Sequence, residues 1–237
     1  MYLLEARNIC AGYGKLQILF DINFYARSKE LVVIIGPNGS GKSTFLKTLF
    51  GLTNIYKGEI YFQNKNITSF KPHERAREGL AYLPQTNNSF ENLTVRENLI
   101  MATYGLPEDE AENKLEEVLI FLPRIKEFMS RKVKTLSGGE RQMVAMAMAL
   151  IRQPKVIMLD EPTAALAPKV ALEILNKIVD LKKVYGMSVV LVEQNAKKAL
   201  EIGDRAYLFV AGRVMFSGKT DELLEDKQLT KTYLGLS

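Results

Sequence analysis

Leu31-Val-Val-Ile-Ile-Gly36-Pro-Asn-Gly-Ser-Gly41-Lys42-Ser43-Thr44 is the stretch from which the rest of the chain can be read. Its first five residues are apolar without alternation, as in a strand covered on both faces of a sheet. A glycine-rich turn follows, and Phe45, Leu46, Leu49 and Phe50 then recur at helical spacing up to a stop at Gly51. Between strand and helix the residues fit G-x-x-x-x-G-K-[ST], the spacing of a phosphate-cradling loop. Glycines let backbone N–H groups converge on phosphate oxygens, and the helix aims its partial positive end at them. Gly36, Asn38, Gly39, Ser40, Gly41, Lys42, Ser43 and Thr44 are therefore the expected ATP-binding residues. Lys42 adds a full charge toward the β and γ phosphates, and the Ser43 hydroxyl is an expected Mg²⁺ ligand. Such spacing arises by chance in roughly one chain in a hundred of this length. Its place between a buried strand and a helix favours the nucleotide reading further.

A second apolar run, Val156-Ile-Met-Leu-Asp160-Glu161, ends in two acids, where an α/β sheet places its ligand crevice. Asp160 is expected to orient Mg²⁺ through a bound water. Glu161 is expected to polarise the water that attacks the γ phosphate, a role worth ~10²–10⁴ in rate. Alone, this pattern would fit a strand followed by an acidic helix cap; beside the phosphate loop it reads as catalytic.

Composition limits the alternatives. The 237 residues are 47% hydrophobic and 25% charged, which suits one globular domain with an appendage. No run approaches the ~20 apolar residues of a membrane span, and residues 1–7 lack the pattern of a signal peptide. A cytoplasmic protein is expected. The single cysteine, Cys10, reads as a packed strand thiol and cannot form an internal disulfide. A net charge of +5 and a pI near 9.1 rank a solvated surface first, an anionic membrane face second and nucleic acid last. The densest basic cluster is residues 131–134.

Strands are expected over 3–9, 22–26, 31–35 and 59–63 in the first third. From about 85 to 153 the pattern turns helical, over 95–104, 109–122 and 138–151, with Pro107, Pro123 and Pro154 as punctuation. The α/β pattern then resumes, with strands over 156–159 and 188–193, helices over 169–185 and 196–202, a hairpin about Ala211-Gly212 and a short helical tail. The expected fold class is α/β. A phosphate-loop NTPase core, with a mixed sheet flanked by helices, carries an N-terminal antiparallel β subdomain and an inserted helical subdomain. Residues 1–85 and 154–237 would form the core and 86–153 the insertion, within one domain.

Leu136-Ser137-Gly138-Gly139-Glu140 begins the last helix of that insertion. Ser137 and Glu140 form an S-x-x-E capping box, so a helix start alone would explain them. Two glycines in the first turn weaken a helix by roughly 1 kcal/mol each, and they leave its N-terminus open to a phosphate. With Arg141-Gln142 following, this run resembles the signature of ABC (ATP-binding cassette) ATPases. The resemblance implies that Ser137, Gly138, Gly139 and Glu140 meet the ATP held in a partner's phosphate loop, so hydrolysis needs a dimer with two composite sites. It implies that Tyr13, between Gly12 and Gly14, stacks on adenine, and that Gln85 in Tyr82-Leu-Pro-Gln85 touches Mg²⁺ and the attacking water.

Two positions depart from that family pattern. Gln194 stands where a switch histidine is usual, and it can donate to the γ phosphate without becoming charged; the only histidine, His73, reads as a surface residue. Ala167 replaces an aspartate that communicates across the dimer. Val-Glu-Gln-Asn-Ala at 192–196, Leu-Ala-Pro at 166–168 and Lys-Thr-Tyr-Leu-Gly at 231–235 together resemble the LivF-type ATP-binding subunits of branched-chain amino acid importers. That resemblance implies two integral membrane permease subunits, an extracytoplasmic solute-binding protein and a second, unlike ATP-binding subunit, although isolated chains can pair with themselves. It places the chain peripherally on the cytoplasmic face of the membrane, docked through residues 85–95, where the polar run Thr86-Asn-Asn-Ser-Phe90 ends in an aromatic. Import of another solute, such as urea or a short amide, is one alternative. A non-transport ABC protein acting on DNA or the ribosome is another, but those usually carry a long coiled coil or tandem cassettes. A phosphate-loop kinase would leave the signature run without a role.

Overall fold

The structure, a computed structural model, describes residues 2–86 and 88–235. Two sheets form among these residues. The first is antiparallel, in the order β2-β1-β4-β5, from β1 (Leu4–Tyr13), β2 (Leu16–Ala26), β4 (Asn54–Phe62) and β5 (Lys65–Asn66). The second has the order β10-β9-β3-β8-β7-β6, from β3 (Leu31–Ile35), β6 (Leu80–Leu83), β7 (Val156–Asp160), β8 (Ser188–Val192), β9 (Arg205–Val210) and β10 (Arg213–Lys219). Its strands are parallel except β10, which returns antiparallel along β9. This is the α/β architecture with a mixed sheet that the sequence implied.

Helix α1 (Lys42–Phe50) lies between the two sheets. Phe45, Leu46 and Leu49 pack with Val32, Ile34, Met158, Val190 and Val192 on one side and with Leu4, Ile22 and Phe24 on the other. Alternate residues of the same strands, such as Val33, Ile157, Leu159 and Leu191, enter a second apolar cluster on the opposite face. Both faces of each central strand are thus buried, which is why their sequences show no alternation. Phe45 is fixed by edge and tilted contacts to Phe24 and Phe209, 5.1 and 5.3 Å between centroids.

The second cluster also contains the inserted helices α3 (Val95–Ala102), α4 (Glu108–Phe121) and α5 (Gly138–Leu150), together with α6 (Pro168–Lys183) and α7 (Ala196–Ile202). The helical insertion therefore shares a continuous apolar core with the sheet. Thr94 caps α3 through a reciprocal box with Glu97, and buried Asn98 in the same helix ties back both the N–H and the C=O of Phe90. The run 86–90 is thereby anchored at its far end; Asn87 lies outside the described residues, as does Met1 of the N-terminal stretch.

Several boundaries differ from those read in the sequence. β1 continues to Tyr13 and β2 begins at Leu16, because bulges near Asn8 and Asp21, both at positive φ, break the alternation used to place strand ends. Cys10 lies part-buried in β1, as expected of a strand thiol. β6 and α2 (Pro72–Glu78) have no counterpart in the sequence reading: four residues make too short a periodic signal, and α2 is almost wholly polar.

Within α2, Arg75 is only 1% exposed and donates to four carbonyls: Thr48 and Leu49 at the end of α1, Phe70 and Thr68. Burial pulls its pKa down to about 10, so it stays charged at neutral pH. A cation there complements the negative end of α1 and satisfies carbonyls that a helix terminus leaves free. Arg75→Met should lower the unfolding free energy by about 2–4 kcal/mol in chemical denaturation, since it strands buried acceptors rather than removing surface charge.

Candidate functional site

The phosphate loop is built by close approach. Gly36 has φ 144°, and a Cβ there would lie 2.0 Å from the carbonyl oxygen of Phe209, so no side chain fits. Gly41 is the N-cap of α1, provides no side-chain cap, and is followed by no acidic residue in the first turn. The positive end of α1 is therefore open. Inside the loop, the buried Ser40 hydroxyl has no hydrogen-bond partner among the described residues. Such an orphan is expensive in a finished interior and fits a loop whose remaining partner is an anion.

Lys42 is buried, and its ammonium donates to the carbonyls of Gly36 and Pro37 at 2.8 and 2.9 Å. Burial lowers its pKa, while the charges of Glu161 and Asp160 pull it back up. Those two acids stand at the end of β7. Asp160 accepts from the Ser43 hydroxyl at 2.8 Å through one carboxylate oxygen and from the Tyr82 hydroxyl at 3.1 Å through the other. Glu161 adopts φ 48°, its N–H reaches Val192 O at 2.9 Å, and a single carboxylate oxygen accepts from Gln85 at 2.9 Å and Gln194 at 2.7 Å. Burial pushes the Glu161 carboxyl above the usual range and Asp160 adds to this, against the opposing Lys42 charge and Gln194 amide.

An open cleft of about 420 Å³ is lined by residues 38–44 together with Ile18, Gln85, Glu161 and Gln194. Residues far apart in sequence thus converge on one anion-binding cleft. Gln85, expected to touch Mg²⁺ and the attacking water, follows β6 and has its amide on the Glu161 carboxylate. Gln194, expected on the γ phosphate, likewise donates to Glu161. Ser43 and Asp160 are the oxygen donors that meet, and among the described residues no group of three or more His, Cys, Asp or Glu is arranged to hold a metal. That donor set suits Mg²⁺, which binds one or two carboxylates and otherwise uses phosphate oxygens and water. When bound, the ion would neutralise phosphate charge; this chain contributes the hydroxyl of Ser43 and the orientation of Asp160.

Tyr13 ends β1 and is 42% exposed, so it is not a core tyrosine. Its hairpin tip is held by Asn54, which accepts from Gly14 N–H, and by Tyr56, which donates to Gly14 O. His73 sits exposed in α2, away from the cleft lining. Ala167 is the exposed N-cap of α6, ahead of Pro168.

At the signature, Ser137 and Glu140 form the capping box: Ser137 N–H donates to the Glu140 carboxylate at 2.8 Å, and Glu140 N–H to the Ser137 hydroxyl at 3.3 Å. The first of these bonds holds the Glu140 pKa below its ordinary value. The glycines also have a reason internal to the chain, which the sequence did not reveal. A Cβ on buried Gly139 would lie 2.3 Å from a methyl of Val170 in α6, and one on exposed Gly138 would lie 3.1 Å from Leu166. Gly139 therefore lets α5 and α6 approach, whereas Ser137 and Gly138 face outward.

Two residues of the site went unweighted in the sequence. Tyr82 lies in the quoted run ending at Gln85, and Glu193 stands beside Gln194; neither belongs to a spacing pattern that would single it out. Glu193 is 3% exposed and accepts from both the N–H and the hydroxyl of Thr163, at 3.1 and 2.8 Å. Burial raises its pKa, with those bonds opposing.

A glycine loop on a capless helix beside a strand-end acid pair marks a phosphate-loop nucleotide-binding protein. The family model described as ABC transporter matches residues 19–164, and the chain belongs to this family. It is 47% identical over 99% of both chains to a probable branched-chain amino acid transport ATP-binding protein LivF from Archaeoglobus fulgidus. It is 36% identical to the high-affinity branched-chain amino acid transport ATP-binding protein BraG of Pseudomonas aeruginosa, covering 98% of this chain and 100% of the relative. A lipopolysaccharide export system ATP-binding protein LptB from Acidithiobacillus ferridurans is 34% identical, covering 98% and 97%. Among solved structures, a nucleotide-free ATP-binding cassette from an ABC transporter superposes with a TM-score of 0.88 at 28% identity, covering 100% of both chains. The ADP conformation of an ATP-binding cassette of an ABC transporter matches with a TM-score of 0.85 at 29% identity, covering 98% of each. The chain is thus a nucleotide-binding ATPase subunit; subunits of its family dimerise and work with membrane permease subunits.

Gly139→Ala separates the two roles of the signature glycines. Helix propensity alone favours alanine by about 1 kcal/mol, but the methyl would meet a stiff β-branched neighbour, and a net loss of about 1–3 kcal/mol is expected in nucleotide-free denaturation. Combining it with Val170→Ala should recover that loss.

Proposed function

We propose that this chain hydrolyses ATP to power an ABC importer for branched-chain amino acids. The observation that carries the solute class is the 47% identity, over 99% of both chains, to a relative named for branched-chain amino acid transport. The 34% identity to a lipopolysaccharide export subunit supports a second reading, in which the same cassette drives export. Solute uptake by vesicles containing the chain and its co-purified membrane partners distinguishes them: ATP-dependent accumulation of leucine, isoleucine or valine supports import. Accumulation of urea or a short amide instead would keep the importer and replace the solute.

In this reading Lys42 and the loop N–H groups hold the phosphates, while Ser43 and Asp160 orient Mg²⁺. Glu161 is the general base: its raised pKa increases its basicity, and the amides of Gln85 and Gln194 aim it without supplying a proton of their own. Gln194 would do this work in place of an imidazole. Ser137, Gly138 and the start of α5 would receive the γ phosphate bound by a partner subunit. The unusual residues at 194 and 167 favour an unlike partner. Glu161→Gln should reduce ATP turnover by ~10²-fold or more and trap an ATP-bound dimer visible by size-exclusion chromatography; a normal rate would remove Glu161 from this role.

Phe90, Ile100, Met101 and Tyr104 are all exposed, with the last three on one side of α3 and the turn after it. An exposed apolar group of this kind suits docking of a permease subunit at the cytoplasmic face. No helix among the described residues is long and apolar enough to cross a membrane, so attachment would be peripheral. Phe90→Glu should abolish uptake while hydrolysis by the purified chain continues; undiminished uptake would place the docking surface elsewhere.

A further inference from the structure

Three consecutive residues at the end of β8 each hold one feature of the segment that carries the proposed base. Val192 O accepts the N–H of Glu161 at 2.9 Å. The Glu193 carboxylate accepts the N–H and the hydroxyl of Thr163. The Gln194 amide donates to the Glu161 carboxylate at 2.7 Å. Between the backbone anchors lies Glu161 itself, at φ 48°. For an L-residue with a long side chain this left-handed conformation costs of order 1–3 kcal/mol and persists only where its surroundings over-determine it.

We infer that Glu193 is a positioning residue for ATP hydrolysis: by fixing Thr163 it holds Glu161 in its left-handed conformation and sets the segment that meets the signature. This rests on the reading of Glu161 as the base. Pro162 lies between Glu161 and Thr163, and its ring-fixed φ makes the connection stiff, so an anchor at Thr163 is felt at Glu161. Beyond Thr163 the chain closes two turns, Ala164 N–H to Glu161 O at 3.1 Å and Leu166 N–H to Thr163 O at 3.2 Å. Leu166 then packs on Gly138. One buried carboxylate therefore registers the base, through Pro162, and the start of α5, through Leu166.

A plain packing role does not account for the choice of residue. Keeping a carboxylate 3% exposed is costly unless it is hydrogen-bonded, and here one oxygen collects both donors of Thr163. A neutral acceptor of the same length would make the same two bonds, so the role lies in the acceptor's position more than in its charge. Glu193→Gln is accordingly the rescue variant and Glu193→Ala the loss variant, with Thr163→Val removing the partner hydroxyl from a part-exposed position.

The test uses the full chain, purified with the subunits that accompany it. It measures ATP turnover, affinity for a fluorescent ATP analogue, and hydrogen exchange in the peptide spanning 161–166. Displacing a catalytic group by about an ångström costs up to ~10²-fold, so Glu193→Ala should lower kcat roughly 10- to 100-fold. Analogue affinity should stay within about twofold, since the phosphate loop is untouched, and Glu193→Gln should return kcat to within about threefold. Faster exchange is expected at 161–166 in Glu193→Ala but not in the phosphate loop, and Thr163→Val should add little to Glu193→Ala. Wild-type kcat in Glu193→Ala, parallel loss of nucleotide affinity and turnover, no rescue by glutamine, or additive losses would each overturn the assignment. Should Glu193→Ala not fold, Thr163→Val decides alone, and unchanged turnover refutes it. Glu161→Gln is run alongside: full activity there means the base is elsewhere, whereas an inactive Glu161→Gln with a fully active Glu193→Ala rejects only the positioning role.

Discussion

The guanidinium of Arg75 closes the C-terminal end of α1 from inside the protein, binding the carbonyls of Thr48 and Leu49 where a helix ordinarily looks to solvent. At the other end Gly41 leaves the helix N-terminus without a cap. One helix is thus held firmly at its negative end and left open at its positive end, and the apolar contacts of Phe45, Leu46 and Leu49 clamp it between two sheets. An anion site made of backbone dipoles works only if those dipoles do not reorganise on binding. The packing around α1 meets that condition, and the rest of the site is arranged relative to it.

The candidate catalytic cluster follows from where the parallel strands end. β3, β8 and β7 lie side by side in the sheet, so the loops after them bring Lys42, Glu161 and Gln194 to one cleft, with Asp160 bonded to Ser43 of its lining. Two layers of hydrogen bonds then fix the acids. Ser43 and Tyr82 hold Asp160 from both sides, and Gln85 with Gln194 holds Glu161. Because Tyr82 and Gln85 come from one short strand and its exit, the orientation of both acids is linked to the segment that leads into the helical insertion.

The signature shows how one residue type can answer two demands. Gly138 is exposed and Gly139 is buried against Val170. Interhelical distance explains the second, and the first is the glycine proposed to face a partner's phosphate. Reading both as bareness for a ligand, as helix propensity alone suggests, overlooks the packing requirement at Gly139.

The class of fold, the phosphate loop, the acid pair and the capping box were all legible in the chain, because each depends on local order: residue types at fixed spacing, apolar runs of strand length, glycine where the backbone must turn. β6 and α2 were not, since one is four residues long and the other is polar. Nor were the bulges that carry β1 on to Tyr13. What the tertiary structure alone decided is pairing across distance: that Arg75 reaches the end of α1, that Gln85 and Gln194 share one oxygen of Glu161, and that Glu193 holds Thr163. Glutamine, arginine and glutamate serve on surfaces and in sites alike, and no spacing distinguishes the two; their roles arise only when the order of strands in the sheet brings residues separated by 26 to 76 positions within hydrogen-bond reach.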